Sequence, residues 1–175
     1  MTNLILMKQT KELEDLSKSL GFEKTLFLDD FTLVKASSKK DLLKQVKEAK
    51  NKKKISVFRA ESEELFRFAL EKTTIDIVFG QELINPKDSL HFPRGGLDQI
   101  TCKIAKEKEK TIAFSFSDIL GSGNKGRLLG RIRFNLQLCR KYKVKMLFSN
   151  FSEKKEELRS AKDLKSFLII LSTKQ

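Results

Sequence analysis

The chain has 175 residues and carries 36 Lys and Arg against 23 Asp and Glu, a net charge of +13. That length fits one domain, residues 1–175, and an apolar content of 39% with 14 Phe is enough for a core. No apolar run could span a membrane, and Leu4 to Met7 is too short for a signal-peptide core. We therefore expect a soluble, cytoplasmic protein whose surplus positive charge suits a polyanion.

In chain order, short apolar runs alternate with helical patterns. NLILM (3–7) precedes a helix near 9–20, with Gly21 as its stop signal. TLFLDDFTLV (25–34) precedes DLLKQVKEAK, with Asp29–Asp30 as a place where the strand could turn. ISVF (55–58) precedes a helix starting at Glu61 or Ser62, where Ser62 stands before acidic first-turn residues. TTIDIVF (73–79) runs into a long loop and then LDQITCKIAKEKEK. TIAFSF (111–116) leads to a helix over 125–142, and KVKMLFS (143–149) to one over 161–171. Such alternation predicts an α/β fold with a parallel sheet built of βα units, either open or closed into a barrel. A full eightfold barrel takes about 250 residues, so a barrel here would be compact or incomplete.

Loops after the strands gather on one face in such folds and carry function. HFPRGGLDQ (91–99) is on that face and holds the single histidine, His91. Pro93 disfavours helix at Phe92, and Gly95 and Gly96 allow a tight turn into the next helix. Arg94 is left to face solvent or RNA, and His91 to stack on a base or bond phosphate. GSGNKG (121–126) lacks the ending and spacing of a phosphate-binding P-loop and reads as a linker. Cys102 and Cys139 read as small core residues rather than a disulfide pair or nucleophiles.

Between Asp118 and Glu153 there is no acid, yet Lys125, Arg127, Arg131, Arg133, Arg140 and Lys141 fall there. Leu128, Leu129, Ile132, Leu136 and Cys139 form one apolar stripe on the helix. Arg127 and Arg131 are expected on the opposite side, with Phe134 and Leu138 among the charges. Those two either touch a neighbouring helix or anchor a partner, and the arginines can fork onto phosphate. The Lys39–Lys54 tract is a weaker candidate because acids interrupt it. An all-carboxylate magnesium site could draw on Asp29, Asp30, Asp76, Glu82 or Asp118, but these show no motif spacing. We therefore expect no catalytic residue, metal or cofactor held by the chain itself. A stand-alone metal-dependent phosphoesterase is the alternative, and a pure protein-binding scaffold a third reading.

Residues 95–171 resemble one family. Gly96-Leu97-Asp98 opens a helix, and Phe114-Ser115 ends a strand. An arginine-bearing helix follows, then Lys141-Tyr142-Lys143-Val144, Ser149, Arg159 and Asp163-Leu164. In this order they are similar to the thirty-kilodalton-type protein subunit of archaeal and eukaryotic ribonuclease P. The resemblance implies a TIM-like barrel related to the polymerase and histidinol-phosphatase barrels, without their metal cluster. It implies a non-catalytic role beside an RNA that removes the 5′ leader of precursor tRNA using magnesium. It also implies a small RNA-recognition-like protein partner in a two-plus-two assembly. Here Gln99 stands where the family often has histidine.

Overall fold

The computed structural model describes residues 1–173. Among these residues are seven strands and seven helices, which alternate except that β3 follows β2 and α6 follows α5 directly. They are β1 (Thr2–Leu4), α1 (Lys11–Ser19), β2 (Lys24–Leu26), β3 (Phe31–Val34), α2 (Lys39–Asn51), β4 (Ile55–Arg59) and α3 (Glu63–Lys72). After these come β5 (Ile77–Phe79), α4 (Gln99–Glu107), β6 (Thr111–Ser115), α5 (Phe116–Gly121), α6 (Lys125–Lys141), β7 (Lys145–Ser149) and α7 (Ala161–Ser172). Each helix opens on a Thr, Ser, Asp or Asn whose side chain accepts a first-turn N–H. Such a cap contributes about 0.5–2 kcal/mol.

The predicted strand 25–34 is divided. Its first half, β2, pairs with β1, and its second half, β3, pairs with β4. Asp29–Asp30 make the turn between them, with Asp30 Oδ2 accepting the Phe27 N–H at 2.8 Å. The sheet then runs β3-β4-β5-β6-β7. On the far side, the Phe151 N–H donates to Leu4 O at 2.8 Å and Leu6 N–H to Ser152 O at 2.9 Å. The strands thus curve into a compact TIM-like ring, which β1 joins to the segment after β7 and in which β2 and β3 are not paired with each other.

Strand alternation separates two apolar layers. Leu4, Phe31, Val57, Ile77, Phe79, Ala113 and Phe151 fill the lumen. Their neighbours Phe58, Val78, Ile112 and Phe114 face outward under the helices. Phe79 and Phe151 stack at 4.4 Å, closing the lumen near the carboxyl ends of the strands. Asp76 stands outside the lumen: β5 begins only at Ile77, and the Asp76 carboxylate accepts the Ser56 N–H at 2.8 Å and hydroxyl at 2.7 Å.

Cys102 of α4 and Cys139 of α6 meet in the core as free thiols. Contact with Cys102 and burial both push the Cys139 thiol up. Neither thiol should react with a bulky disulfide reagent until the protein unfolds. A thiol titration with and without denaturant checks this, and rapid native-state labelling would contradict it.

Candidate nucleic-acid and partner interface

The β5–α4 loop, residues 80–98, is the longest connection at the carboxyl ends of the strands. Its path is set by close approach. Gly96 has φ +83°, and a Cβ there would collide with the Gln81 carbonyl oxygen. A Cβ on Gly95 would collide with the Asn135 side chain. Asn135 Nδ2 donates to Gly95 O at 2.6 Å. Asp88 Oδ1 accepts the Arg94 N–H at 2.8 Å, and the Ser89 N–H donates to Phe92 O at 3.1 Å. Asp98 caps α4 reciprocally with Thr101.

Arg131 is a correction to the sequence reading. It was placed on an open face of α6 among RNA contacts, but its side chain is only 3% exposed. Nε donates to Asp88 Oδ1 at 2.7 Å. Nη1 donates to Glu82 O at 2.9 Å and to Asn85 O at 2.6 Å. The guanidinium therefore fastens the loop to the helix. Although burial pushes the Asp88 carboxyl up, the Arg94 N–H and Arg131 hold it below its ordinary value. The sequence held a clue: Arg131, Phe134, Asn135 and Leu138 recur at helical spacing and make a second packed stripe.

Other basic residues divide by surroundings. Arg133 and Arg140 donate to Thr173 O at 3.0 Å and Ser172 O at 2.9 Å, holding the end of α7. Lys125 and Arg127 are exposed in the first turn of α6, where the helix dipole disfavours cations by several tenths of a kcal/mol. Lys141 is exposed, with Nζ 5.6 Å from the Tyr142 ring centre. Arg94 and His91 are exposed on the loop, beside Leu90 at 98% and Phe92 at 56% exposure.

The loop and α6 share a groove of about 600 Å³ with α3 and α4. Phe92, Arg94, Phe134 and Leu138 line it, with Arg67 on the far wall. Two features far apart in the chain, HFPRGG and the apolar residues of α6, therefore face one hollow. Phe134 and Leu138 are half-buried, consistent with both readings offered for them.

At the ring mouth, two acids named from the sequence, Glu82 and Asp118, meet Arg59, which the pattern did not single out. Arg59 Nη2 pairs with Asp118 Oδ1 at 2.8 Å and lies over the Phe79 ring. Behind them Glu82 is fully buried, and neither carboxylate oxygen has a partner. Burial, added to by the Asp118 charge, pushes Glu82 from 4.5 to about 8, against the pull of Arg59 and Arg131. Burial also raises Asp118. Among the described residues, no three His, Cys, Asp or Glu side chains gather as a metal site would require. Of the other acids named for a magnesium site, Asp29 accepts the Gln9 N–H and Asp76 accepts the Ser56 N–H, so these two are committed to separate local roles.

No family model matches the chain. It is 29% identical over 137 residues to ribonuclease P protein component 3 of Methanocaldococcus jannaschii, covering 77% of this chain and 56% of that one. A protein of the same name from Methanococcus maripaludis is 28% identical over 142 residues, covering 79% and 58%. The chain is a relative of archaeal ribonuclease P protein component 3. It spans a little over half the length of these curated component 3 proteins. The fold agrees with a chain in the cryo-EM structure of archaeal ribonuclease P with mature tRNA. The TM-score is 0.82 at 21% identity, over 98% of this chain and 83% of that one. The ring described above is therefore a fold also found in a chain of that structure.

Proposed function

We propose that this chain is a non-catalytic protein subunit of ribonuclease P that assists the catalytic RNA in removing the 5′ leader of precursor tRNA. The observation that carries the reading is the similarity to component 3 across more than three quarters of the chain. The RNA performs the cleavage and holds the magnesium. Arg94, Lys125, Arg127 and Lys141, with His91, face RNA phosphate or base. Arg133 and Arg140 extend this surface while bracing α7. The groove bounded by Phe92, Phe134 and Leu138 receives the small RNA-recognition-like protein subunit, in a two-plus-two assembly. The chain works as one domain in the cytoplasm, and no helix among its described residues is long and apolar enough to cross a membrane. No feature of the mouth favours the phosphoesterase alternative.

The test is precursor-tRNA cleavage by the cognate catalytic RNA at moderate magnesium, with and without this protein and its partner subunit. Cleavage should depend on the protein. Reversing Lys125 and Arg127 to Glu should weaken it while slightly stabilising α6, and each lost phosphate contact should lower the salt slope by about 0.7–0.9. Cleavage that does not change when the protein is added would reject the reading.

A further inference from the structure

The amino-terminal edge of the ring, opposite the mouth, carries a cluster of exposed lysines. Helices α2, α4 and α6 each return to the next strand through a three-residue turn: 52–54, 108–110 and 142–144. All three turns share one hydrogen-bond pattern. Lys54 N donates to Ala49 O, Lys110 N to Ala105 O, and Val144 N to Cys139 O, each at 2.8–3.1 Å. The residue before each donor is left-handed: Lys53 at φ 53°, Glu109 at 53° and Lys143 at 55°. Glycine is the usual occupant of that position, and it is Gly21, φ 80°, in the corresponding turn after α1. A side chain there costs about 1–2 kcal/mol. Two turns keep lysine despite that cost.

The turns lie along one row because the strands they feed, β4, β6 and β7, belong to one sheet, with β5 between the first two. Asp76, before β5, links them through Ser56 and the Thr111 N–H. At about 4.8 Å per strand, the row spans roughly 15 Å. Lys52, Lys53, Lys54, Lys108, Lys143 and Lys145 are all exposed along it. The acids on this edge are few. Asp76 is bound to Ser56, Glu109 lies 3.7 Å from Lys145, and Glu107 is 4.0 Å from Lys108. Helix dipoles account for lysines within the last turn of each helix but not for those beyond the cap. A hollow of about 280 Å³ between Lys50, Lys53, Lys54 and Thr74 makes the edge concave rather than flat.

From these observations we propose that the lysine turns at the amino-terminal edge of the ring form a second RNA-binding surface, gripping the phosphate backbone of folded RNA. A protein partner fits poorly. Interface cores are depleted in lysine and built on aromatic anchors, and the turns expose no large apolar side chain. The choice of RNA among polyanions rests on the ribonuclease P reading. In contrast to α6, where Arg131, Arg133 and Arg140 are engaged internally, Lys52, Lys53 and Lys143 make no ion pair among the described residues, while Lys54 donates to Asp29 O and Lys108 and Lys145 lie beside exposed glutamates.

The test uses the full chain and a short fluorescein-labelled RNA duplex, with affinity measured against salt. The decisive variant is Lys53→Gly, Lys143→Gly, Lys108→Gln. The glycines relieve the left-handed backbone, so the melting temperature should hold or rise, and weaker binding then cannot come from misfolding. The salt slope should drop by about 2–3, and the Kd at about 0.1 M salt should rise on the order of a hundredfold. A Lys→Arg set at the same positions should bind as the wild type. Wild-type affinity and slope in the glycine variant, with loss on an Arg94, Lys125, Arg127→Gln variant, would overturn the proposal and leave the subunit reading intact. Displacement of the duplex by polyglutamate as readily as by unlabelled RNA would overturn it too. If the wild type binds no RNA, precursor-tRNA cleavage separates the cases: retained stimulation sinks only this surface, and its absence sinks both.

Discussion

Replacing Arg131 with alanine is expected to destabilise the protein by about 3–5 kcal/mol, because the buried Glu82 carbonyl, the half-buried Asn85 carbonyl and the Asp88 carboxylate lose their donor together. In a chain of this size, that corresponds to a melting point lower by roughly 10 °C. The loss should be local first. Hydrogen exchange should rise over residues 84–94 before the ring responds, since the loop's other ties include only Asn135 to Gly95, an exposed hydrogen bond from Asn85 to Glu63 and the turn hydrogen bonds of 88–94. Lysine should rescue only part of the stability, since one ammonium cannot match the planar reach of a guanidinium to three acceptors. Because the loop presents Leu90, Phe92 and Arg94, the variant should also lose affinity for a partner seated in the groove. A melting point within a degree or two of the wild type would show that Arg131 is not the fastening, and that its place among the surface cations should be restored.

Glu82 sets the second large effect, and its sign follows from proton counting. The native protein holds this carboxyl protonated up to about pH 8, whereas the unfolded chain releases the proton near 4.5. Between those values the native state binds more protons, so stability falls as pH rises through that window. The full span corresponds to a few kcal/mol, at most about 5. Glu82→Gln keeps the shape and removes the titration. The variant should match the wild type near pH 4.5 and exceed it by several degrees in melting temperature at pH 8. Asp118, Arg59 and Arg131 face the same pocket, so the comparison is made at each pH on otherwise unchanged protein. Parallel melting curves for the two proteins from pH 4.5 to 8 would rule out a buried, protonated Glu82.

The order of strands and helices was legible because each of the six βα units shows its own periodicity, and Ser62 and Gly21 mark boundaries that the structure keeps. The ring's closure was not, since the partnership of Leu4 with Phe151 is between residues far apart in the chain. The 25–34 run looked like one strand because its composition is uniform, and only the change of partner at Asp29–Asp30 divides it. On α6 the pattern pointed to one buried face. A helix packed on two sides carries a second stripe, and when that stripe includes a long cation the sequence reads it as surface. Arg131 was misplaced for that reason. Glu82 and Asn135 had no sequence signal, since the burial of an acid or an amide depends on which loop folds over it. HFPRGG was recognised as a turn into a helix with outward side chains, and its glycines serve close approach as well as rotation.

The seal between β1 and β7 has a consequence for synthesis. Asn3 receives the Ser149 hydroxyl across 146 residues of chain, and Asn150 Nδ2 reaches the same oxygen at 3.0 Å. At a translation rate of about 5–20 residues per second, the first strand waits roughly 7–30 s for the last to be made. Through that interval, one edge of the nascent β1–β2 ribbon has no pairing partner, and the Leu4 side of the lumen is uncovered. On the ribosome this edge is the natural point for chaperone contact.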